Sequence, residues 1–193
     1  MGGRTARALA ARRGASSRTG RVPSIFAFQR VERAWHVPSM KRGKKATLGT
    51  PSTAAAVAQG LVGQMGDMGC GVACVASVLR ISYSQALKRF QKVGVKGDDM
   101  MAGFSRRSLK TVLKKAGREY AFHNFGPVTE SERHRRANGL PERSIVYVFD
   151  KNTRYCYGHY LVRMPRGWMD PEQGRLRRTL PACPKSYLEP VER

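Results

Sequence analysis

Hydrophobic and polar positions divide this chain into a helical part followed by a part rich in strands. Small and apolar residues fill Cys70–Leu79, which predicts a buried helix. Ser84–Val93 repeats apolar residues at helical spacing with basic residues between them, which predicts an amphipathic helix. A third helix is predicted to begin at Ser105 or Arg106 and to run through Lys115.

Further along the chain the period changes from that of helices to that of strands. Tyr120–Phe122, Ser144–Phe149 and His159–Arg163 are short runs rich in β-branched and aromatic residues, and each predicts a strand. The apolar stretch Gly167–Asp170 follows the last of them. Between the first two strands, the polar stretch Glu130–Asn138 predicts a loop or an exposed helix.

The last segment, Leu180–Val191, is interrupted by prolines and is predicted to hold one edge strand. Helices that come first and antiparallel strands that follow indicate the α+β class. We therefore expect N-terminal helices packed on a C-terminal antiparallel sheet.

Basic residues are concentrated at the start of the chain. The first 50 residues hold twelve Lys and Arg and one acidic residue, Glu32, whereas the whole chain of 193 residues has 36 basic and 13 acidic ones. Low hydrophobicity and high charge predict a disordered head over residues 1–54 and a folded domain over 55–193. A transit peptide, a nucleic-acid or membrane-surface arm, or a true start at Met40 would each explain the head. We favour the start at Met40.

Compartment and cofactors are constrained by what the sequence lacks. Arg or Lys breaks every apolar run well before the 18 or so residues that a membrane span needs. The spacing of the four cysteines is not that of a disulfide framework, and no secretory signal is recognised, which favours the reducing cytoplasm. The sequence has no GxxxxGK[ST] loop, and no cofactor or metal is predicted.

Cys70 is the candidate nucleophile because it lies where the buried helix is predicted to begin. Peptide dipoles at that end stabilise a thiolate, and backbone N–H groups there point toward an incoming anion. Gly69 and Gly71 on either side permit a tight entry into the helix. A lone cysteine on an apolar helix is more often an ordinary buried residue, so its partners decide the question.

Three further residues complete a possible site. His159 opens a predicted strand and Asp170 ends the next apolar stretch, so two neighbouring antiparallel strands would bring them together. A carboxylate beside an imidazole fixes its tautomer and orientation. Gln64, six positions before Cys70, can supply an amide donor for an oxyanion.

The run from Gln64 to Leu79 resembles the active-site segment of the bacteriocin-processing cysteine peptidases, papain-like domains that cut leader peptides after a double glycine. Gly158-His159-Tyr160-Leu161-Val162 and Asp170-Pro171 are similar to the histidine and aspartate segments of that family. The resemblance implies a papain-like fold, with Cys70 as nucleophile, His159 as base and acid, Asp170 as orienting residue and Gln64 as oxyanion donor. The chain departs from the family at Gly69, where an aspartate is usual.

Other functions compete with this hypothesis. Amidases and transglutaminases use the same ordered Cys, His and Asp residues. The basic runs 133–136 and 175–178 would alternatively fit a nucleic-acid-binding protein, although no nucleic-acid-binding motif accompanies them. A zinc site at Cys70, Cys74 and His159 would lack a close fourth ligand. Within the hydrolase hypothesis, the basic domain favours a peptide or protein substrate of acidic character.

Overall fold

A computed structural model of the chain describes residues 52–94, 103–152, 155 and 158–191. The predicted basic head therefore lies outside the described residues, apart from its last three positions. Five helices are described: α1 Ala54–Ala58, α2 Cys70–Leu79, α3 Tyr83–Lys92, α4 Arg106–Lys115 and α5 Glu130–Asn138. Of the two alternatives for Glu130–Asn138, the helix is the correct one.

Local capping explains where these helices begin. Ser82 and Gln85 form a capping box at the start of α3, so this helix begins one residue earlier than the spacing of apolar residues predicts. The Ser105 side chain accepts from the Ser108 N–H and fixes the start of α4. Thr129 does the same for α5 by accepting from Glu132.

Six strands form one antiparallel sheet beside these helices: β1 Tyr120–Asn124, β2 Ile145–Val148, β3 His159–Met164, β4 Gly167–Asp170, β5 Arg175–Arg177 and β6 Pro184–Pro190. Their spatial order is β1-β6-β2-β3-β4-β5. The α+β class, with helices packed on an antiparallel sheet, is therefore confirmed.

The predicted edge position of the last strand is wrong. β6 pairs with both β1 and β2 and so lies inside the sheet. Its prolines, Pro184 and Pro190, are its first and last residues, so every residue between them keeps an N–H for the ladders. The edges are instead β1 and the three-residue β5, which the sequence pattern did not predict.

The sheet separates two hydrophobic clusters, and α2 belongs to the larger one. Cys70 through Val78 are all buried in α2, against Phe90, Phe104 and Leu109 of the neighbouring helical region and Tyr160 and Val162 of β3. The second cluster contains Trp168, Leu161 and Ala137. Burial from Cys70 to Val78 packs α2 against the strand that carries His159.

In the described part of the chain, no single helix is long and apolar enough to cross a membrane. Only α2 and α3 taken together meet that test, and the chain bends by 106° between them.

Candidate active site

Cys70 is the first residue of α2 and is a free thiol with 9% of its surface exposed. The N-cap residue, Gly69, makes no side-chain capping hydrogen bond. N–H groups of a first helical turn have no acceptor within the helix. This end of α2 therefore presents donors and a positive dipole beside the Cys70 sulfur.

His159 and Asp170 form a buried pair on adjacent strands. His159 begins β3, Asp170 ends β4, and the two strands are antiparallel neighbours. The distance between His159 Nε2 and Asp170 Oδ1 is 2.9 Å, and their side chains are 7% and 0% exposed. The hydrogen bond to Asp170 occupies Nε2 and leaves Nδ1 as the second ring nitrogen. Cys70 lies close enough to His159 to raise the pKa of its imidazole.

Asp170 has two further donors that sequence reasoning missed. Arg177 of β5 donates through Nη1 to Asp170 Oδ2 at 3.0 Å, and the Glu172 N–H donates to Oδ1 at 3.1 Å. Arg177 also donates to the Tyr155 hydroxyl at 3.3 Å, and the Tyr155 ring lies 5.3 Å from that of His159. The carboxylate is thus held on three sides, and its orientation toward His159 is fixed.

These contacts change the charge state of the pair. Burial alone would lower the pKa of His159, but the hydrogen bonds to Asp170 and Cys70 outweigh it and raise this pKa to about 9. For Asp170, burial acts to raise the pKa, and the contacts with His159 and Arg177 reverse that and lower it below its usual value. At neutral pH the arrangement therefore favours an imidazolium paired with the Asp170 carboxylate.

Gln64 is tied to the same region by its backbone. Its N–H donates to the carbonyl of Pro171, the residue after Asp170, at 2.7 Å. Its side-chain Nε2 donates to the Asp67 carbonyl at 3.4 Å, while its Oε1 is buried without a hydrogen-bond partner among the described residues. The structure thus brings Gln64 beside the His159–Asp170 pair, with its amide nitrogen directed to Asp67.

Tyr83 accounts for the glycine at position 69, directly before Cys70. A methyl group added at Gly69 would overlap the Tyr83 hydroxyl and come within 2.9 Å of the Met65 carbonyl. That hydroxyl donates to the same Met65 carbonyl at 3.3 Å. Position 69 therefore has no room for any side chain, because Tyr83 fills the space.

Gly158 is required by a second tyrosine. It has φ of +81°, and a methyl group there would overlap the hydroxyl end of Tyr147. Tyr147 of β2 packs against Tyr160 with ring centroids 5.1 Å apart. Gly158 thus lets the chain turn into His159 over the edge of a fixed aromatic ring.

A Gly158→Ala substitution is expected to destabilise the fold by about 3 kcal/mol, since strained φ and steric overlap act together. Gly126 provides a matched control because its φ is +74° and nothing lies within 4 Å of an added methyl. Gly126→Ala is expected to cost about 1 kcal/mol from backbone strain alone. Urea unfolding of both variants measures the difference, and equal losses would show that the Tyr147 contact is unimportant.

The described residues include one trio with metal-ligand spacing: His159, Asp170 and Glu172, whose ligand atoms lie within 4.8 Å of one another. Cys70 and Cys74, the thiols of the zinc hypothesis, are not part of it. The Arg177 guanidinium already lies 3.0 Å from Asp170, and His159 uses Nε2 for the same carboxylate. A cation here would have to displace both contacts.

No family model matches this chain, and neither a curated protein nor a solved structure matches it.

Proposed function

We propose that this protein is a papain-like cysteine peptidase with Cys70 as nucleophile. The observation that carries the proposal is the chain of contacts Cys70–His159–Asp170, in which a thiol at a helix start meets a buried, carboxylate-bound imidazole. Such an order of nucleophile, base and orienting group is the arrangement that acyl transfer requires. The helices before the sheet and the nucleophile at a helix start support the papain-like assignment.

The first half of the reaction forms an acyl-enzyme. The Cys70 thiolate attacks the carbonyl carbon of the peptide bond, and an S–C bond forms while the carbonyl electrons move to oxygen. When the tetrahedral intermediate collapses, the C–N bond breaks and the His159 imidazolium gives its Nδ1 proton to the leaving amine. Asp170 keeps Nε2–H in place throughout, because Arg177 and the Glu172 N–H hold its oxygens.

The second half regenerates the thiol. Neutral His159 accepts a proton from water as the water oxygen attacks the thioester carbon. The S–C bond then breaks, the acid product leaves, and the thiolate–imidazolium pair is restored. A reducing compartment such as the cytoplasm would keep this thiol free for the next turnover.

Oxyanion stabilisation is proposed to come from the N-terminal N–H groups of α2 and from Gln64. For Gln64 the amide must turn so that Nε2 takes the buried position now held by Oε1. That turn gives up the donation from Nε2 to the Asp67 carbonyl, and a substrate oxyanion that accepts from Nε2 would offset the loss. A substrate oxyanion would then meet a donor there.

The contacts of the basic run on α5 weigh against nucleic-acid binding as the main function. Arg135 and Arg136 donate to Glu132 at 2.7–3.0 Å, and His134 lies 3.6 Å from Glu130. Arg133 donates to the Gly126 carbonyl at 3.1 Å. The cationic side chains of this run thus have acceptors on the helix or just before it, which is typical of a solvated helical face.

The pH dependence of alkylation tests the proposed nucleophile. Iodoacetamide reacts with thiolates, so Cys70 is expected to react at pH 6 about tenfold or more faster than N-acetylcysteine. The sign follows from His159: below its pKa of about 9 it is a cation and stabilises the adjacent anion. Mass spectrometry of the labelled peptide measures the rate at Cys70 alone.

His159→Ala supplies the contrast, since it removes that cation. In this variant the Cys70 rate is expected to fall at pH 6 and to rise steeply with pH, as for an ordinary thiol. His134→Ala on α5 is the control and should leave the profile unchanged. A wild-type rate no higher than that of N-acetylcysteine would refute the activated thiol.

A further inference from the structure

A groove lies between the N-terminal half of α4 and the strands β1 and β6. Its volume is about 380 Å³. Phe122 of β1 and Leu188 of β6 supply apolar walls, and Phe122 is 41% exposed although its strand is part of the sheet. The other lining residues come from α4 and its cap: Ser105, Arg106, Arg107 and Lys110. The groove therefore combines an apolar floor with a cationic rim.

Arg106 connects this groove to the proposed catalytic pair. Its guanidinium lies 4.8 Å above the Phe122 ring and 5.8 Å from the centre of the Tyr147 ring. It donates to the buried Ser186 hydroxyl at 2.7 Å, which fixes its position. The hydroxyl end of Tyr147 meets Gly158, the residue before His159. The ring of Tyr147, a residue of β2, thus contacts both Arg106 of the groove and Gly158 beside His159.

The groove carries positive charge that no acidic residue of its lining balances, unlike the basic run on α5. Three cations line it, and none of the lining residues is acidic. In the described part of the chain, the side chains of Arg107 and Lys110 have no acidic partner, whereas the arginines of α5 pair with Glu132. An anionic group in the groove would therefore meet cations that are not already neutralised.

We propose that this groove is the subsite that binds an acidic side chain of the substrate peptide. The proposal rests on the peptidase function and deepens it by naming a substrate class. A carboxylate would lie between Arg106, Arg107 and Lys110, while the methylene groups that carry it would pack on Phe122. A polypeptide bound across Cys70 would place one such residue beside Tyr147.

Matched peptides test the subsite in turnover. Each position of a peptide that the enzyme cleaves is replaced in turn by Glu or by Gln, and kcat/KM is measured for every pair. At one position the Glu peptide is expected to be preferred by about tenfold, an effect typical of a charge-assisted hydrogen bond. In the Arg107→Gln/Lys110→Gln variant this preference should fall about fivefold.

The control separates the groove from the overall positive charge of the protein. Lys114→Gln/Lys115→Gln removes the same two charges from exposed positions of the same helix outside the groove. This variant is expected to keep the full preference. Equal kcat/KM for Glu and Gln peptides at every position, or equal losses in the two double variants, would overturn the proposal.

A binding measurement keeps the subsite testable if no peptide is cleaved. Fluorescein-labelled decapeptides of Ala, Ser and Gly, each with one Glu or one Gln, are titrated with Cys70→Ala protein at 0.15 M salt, and anisotropy gives Kd. Tighter binding of the Glu peptides, lost with Arg107→Gln/Lys110→Gln and retained with Lys114→Gln/Lys115→Gln, would support the groove even where the peptidase proposal fails. Equal Kd values for Glu and Gln peptides would refute the groove and leave the peptidase proposal untouched.

Discussion

Replacing Cys70 by Ala is expected to abolish peptide-bond cleavage in a digest of an unbiased peptide library. Every product that wild-type protein forms should disappear, because the proposed acyl-enzyme cannot form without the sulfur. Loss of a nucleophile in a catalytic triad typically lowers kcat by a factor on the order of 10⁶. Mass spectrometry of the digests gives both the loss of activity and the residues on either side of each cut.

Cys74→Ala is the matched control for this substitution. Cys74 lies on the same helix and is fully buried, and burial raises the pKa of its thiol well above the ordinary value. It is therefore a packing residue that is not expected to attack a substrate, and its variant should give the wild-type products. Products that persist with Cys70→Ala would show that another group carries the reaction.

Cys70→Ser distinguishes a missing nucleophile from a damaged fold. A hydroxyl is nearly isosteric with the thiol, but it remains protonated beside an imidazolium and attacks far more slowly. We expect Cys70→Ser to unfold at the same temperature as the wild type and to be as inactive as Cys70→Ala. A serine variant with substantial activity would indicate that His159 does not act by stabilising a thiolate at position 70.

Much of the site follows from sequence because its geometry comes from regular elements. An apolar run preceded by glycine predicts a buried helix beginning at Cys70, and α2 begins there. Strand periodicity places His159 at the start of one strand and Asp170 at the end of the next. Antiparallel pairing of these two strands then brings the two side chains together. A pairing between two strands that follow each other in the chain depends on those two strands alone, so the sequence pattern is enough to predict it.

Contacts that depend on longer-range topology were not predictable in this way. Arg177 reaches Asp170 from β5, a three-residue edge strand whose sequence, Arg-Leu-Arg, gives no sign of burial. The interior position of β6 is equally hard to predict, because the prolines at its two ends suggest an edge strand. Only the pairing of β6 with both β1 and β2 shows that it lies inside the sheet. The two tyrosines that fix Gly69 and Gly158 come from other elements, α3 and β2, and no strand pairing or helical spacing relates them to those glycines.

Asp170 is expected to act by orientation and by charge, and two substitutions separate the two effects. Asp170→Ala removes both the acceptor and the charge, so kcat/KM should fall by a factor on the order of 10³. Asp170→Asn keeps an oxygen that can accept from Nε2–H, but its NH2 group replaces the oxygen to which Arg177 donates, so the charge and the Arg177 contact are lost together. A smaller fall than for Asp170→Ala is expected because Nε2–H keeps an acceptor. If both variants lose equal activity, orientation by an uncharged acceptor is insufficient and the charge is essential.

The pH dependence of protein stability should also report on the His159–Asp170 pair. His159 has a folded-state pKa of about 9 against an ordinary 6.5, so its contribution is fully present below pH 6.5 and is lost as pH rises through 9. This corresponds to about 3 kcal/mol at most. The lowered pKa of Asp170 acts in the opposite direction: its contribution is present above pH 3.8 and is lost as pH falls further.

Thermal unfolding between pH 5 and pH 10 therefore tests the buried pair directly. Wild-type Tm is expected to decline from pH 6.5 to pH 9, and Asp170→Asn should flatten that decline, because it removes a carboxylate whose hydrogen bond and charge raise the His159 pKa. The exposed pair His123–Glu189, 3.4 Å apart, offers the control. Surface ion pairs contribute little, so Glu189→Gln should leave the slope as it is in the wild type. An unchanged slope with Asp170→Asn would mean that His159 does not hold its proton through Asp170, and the thiolate–imidazolium pair would then lose its main support.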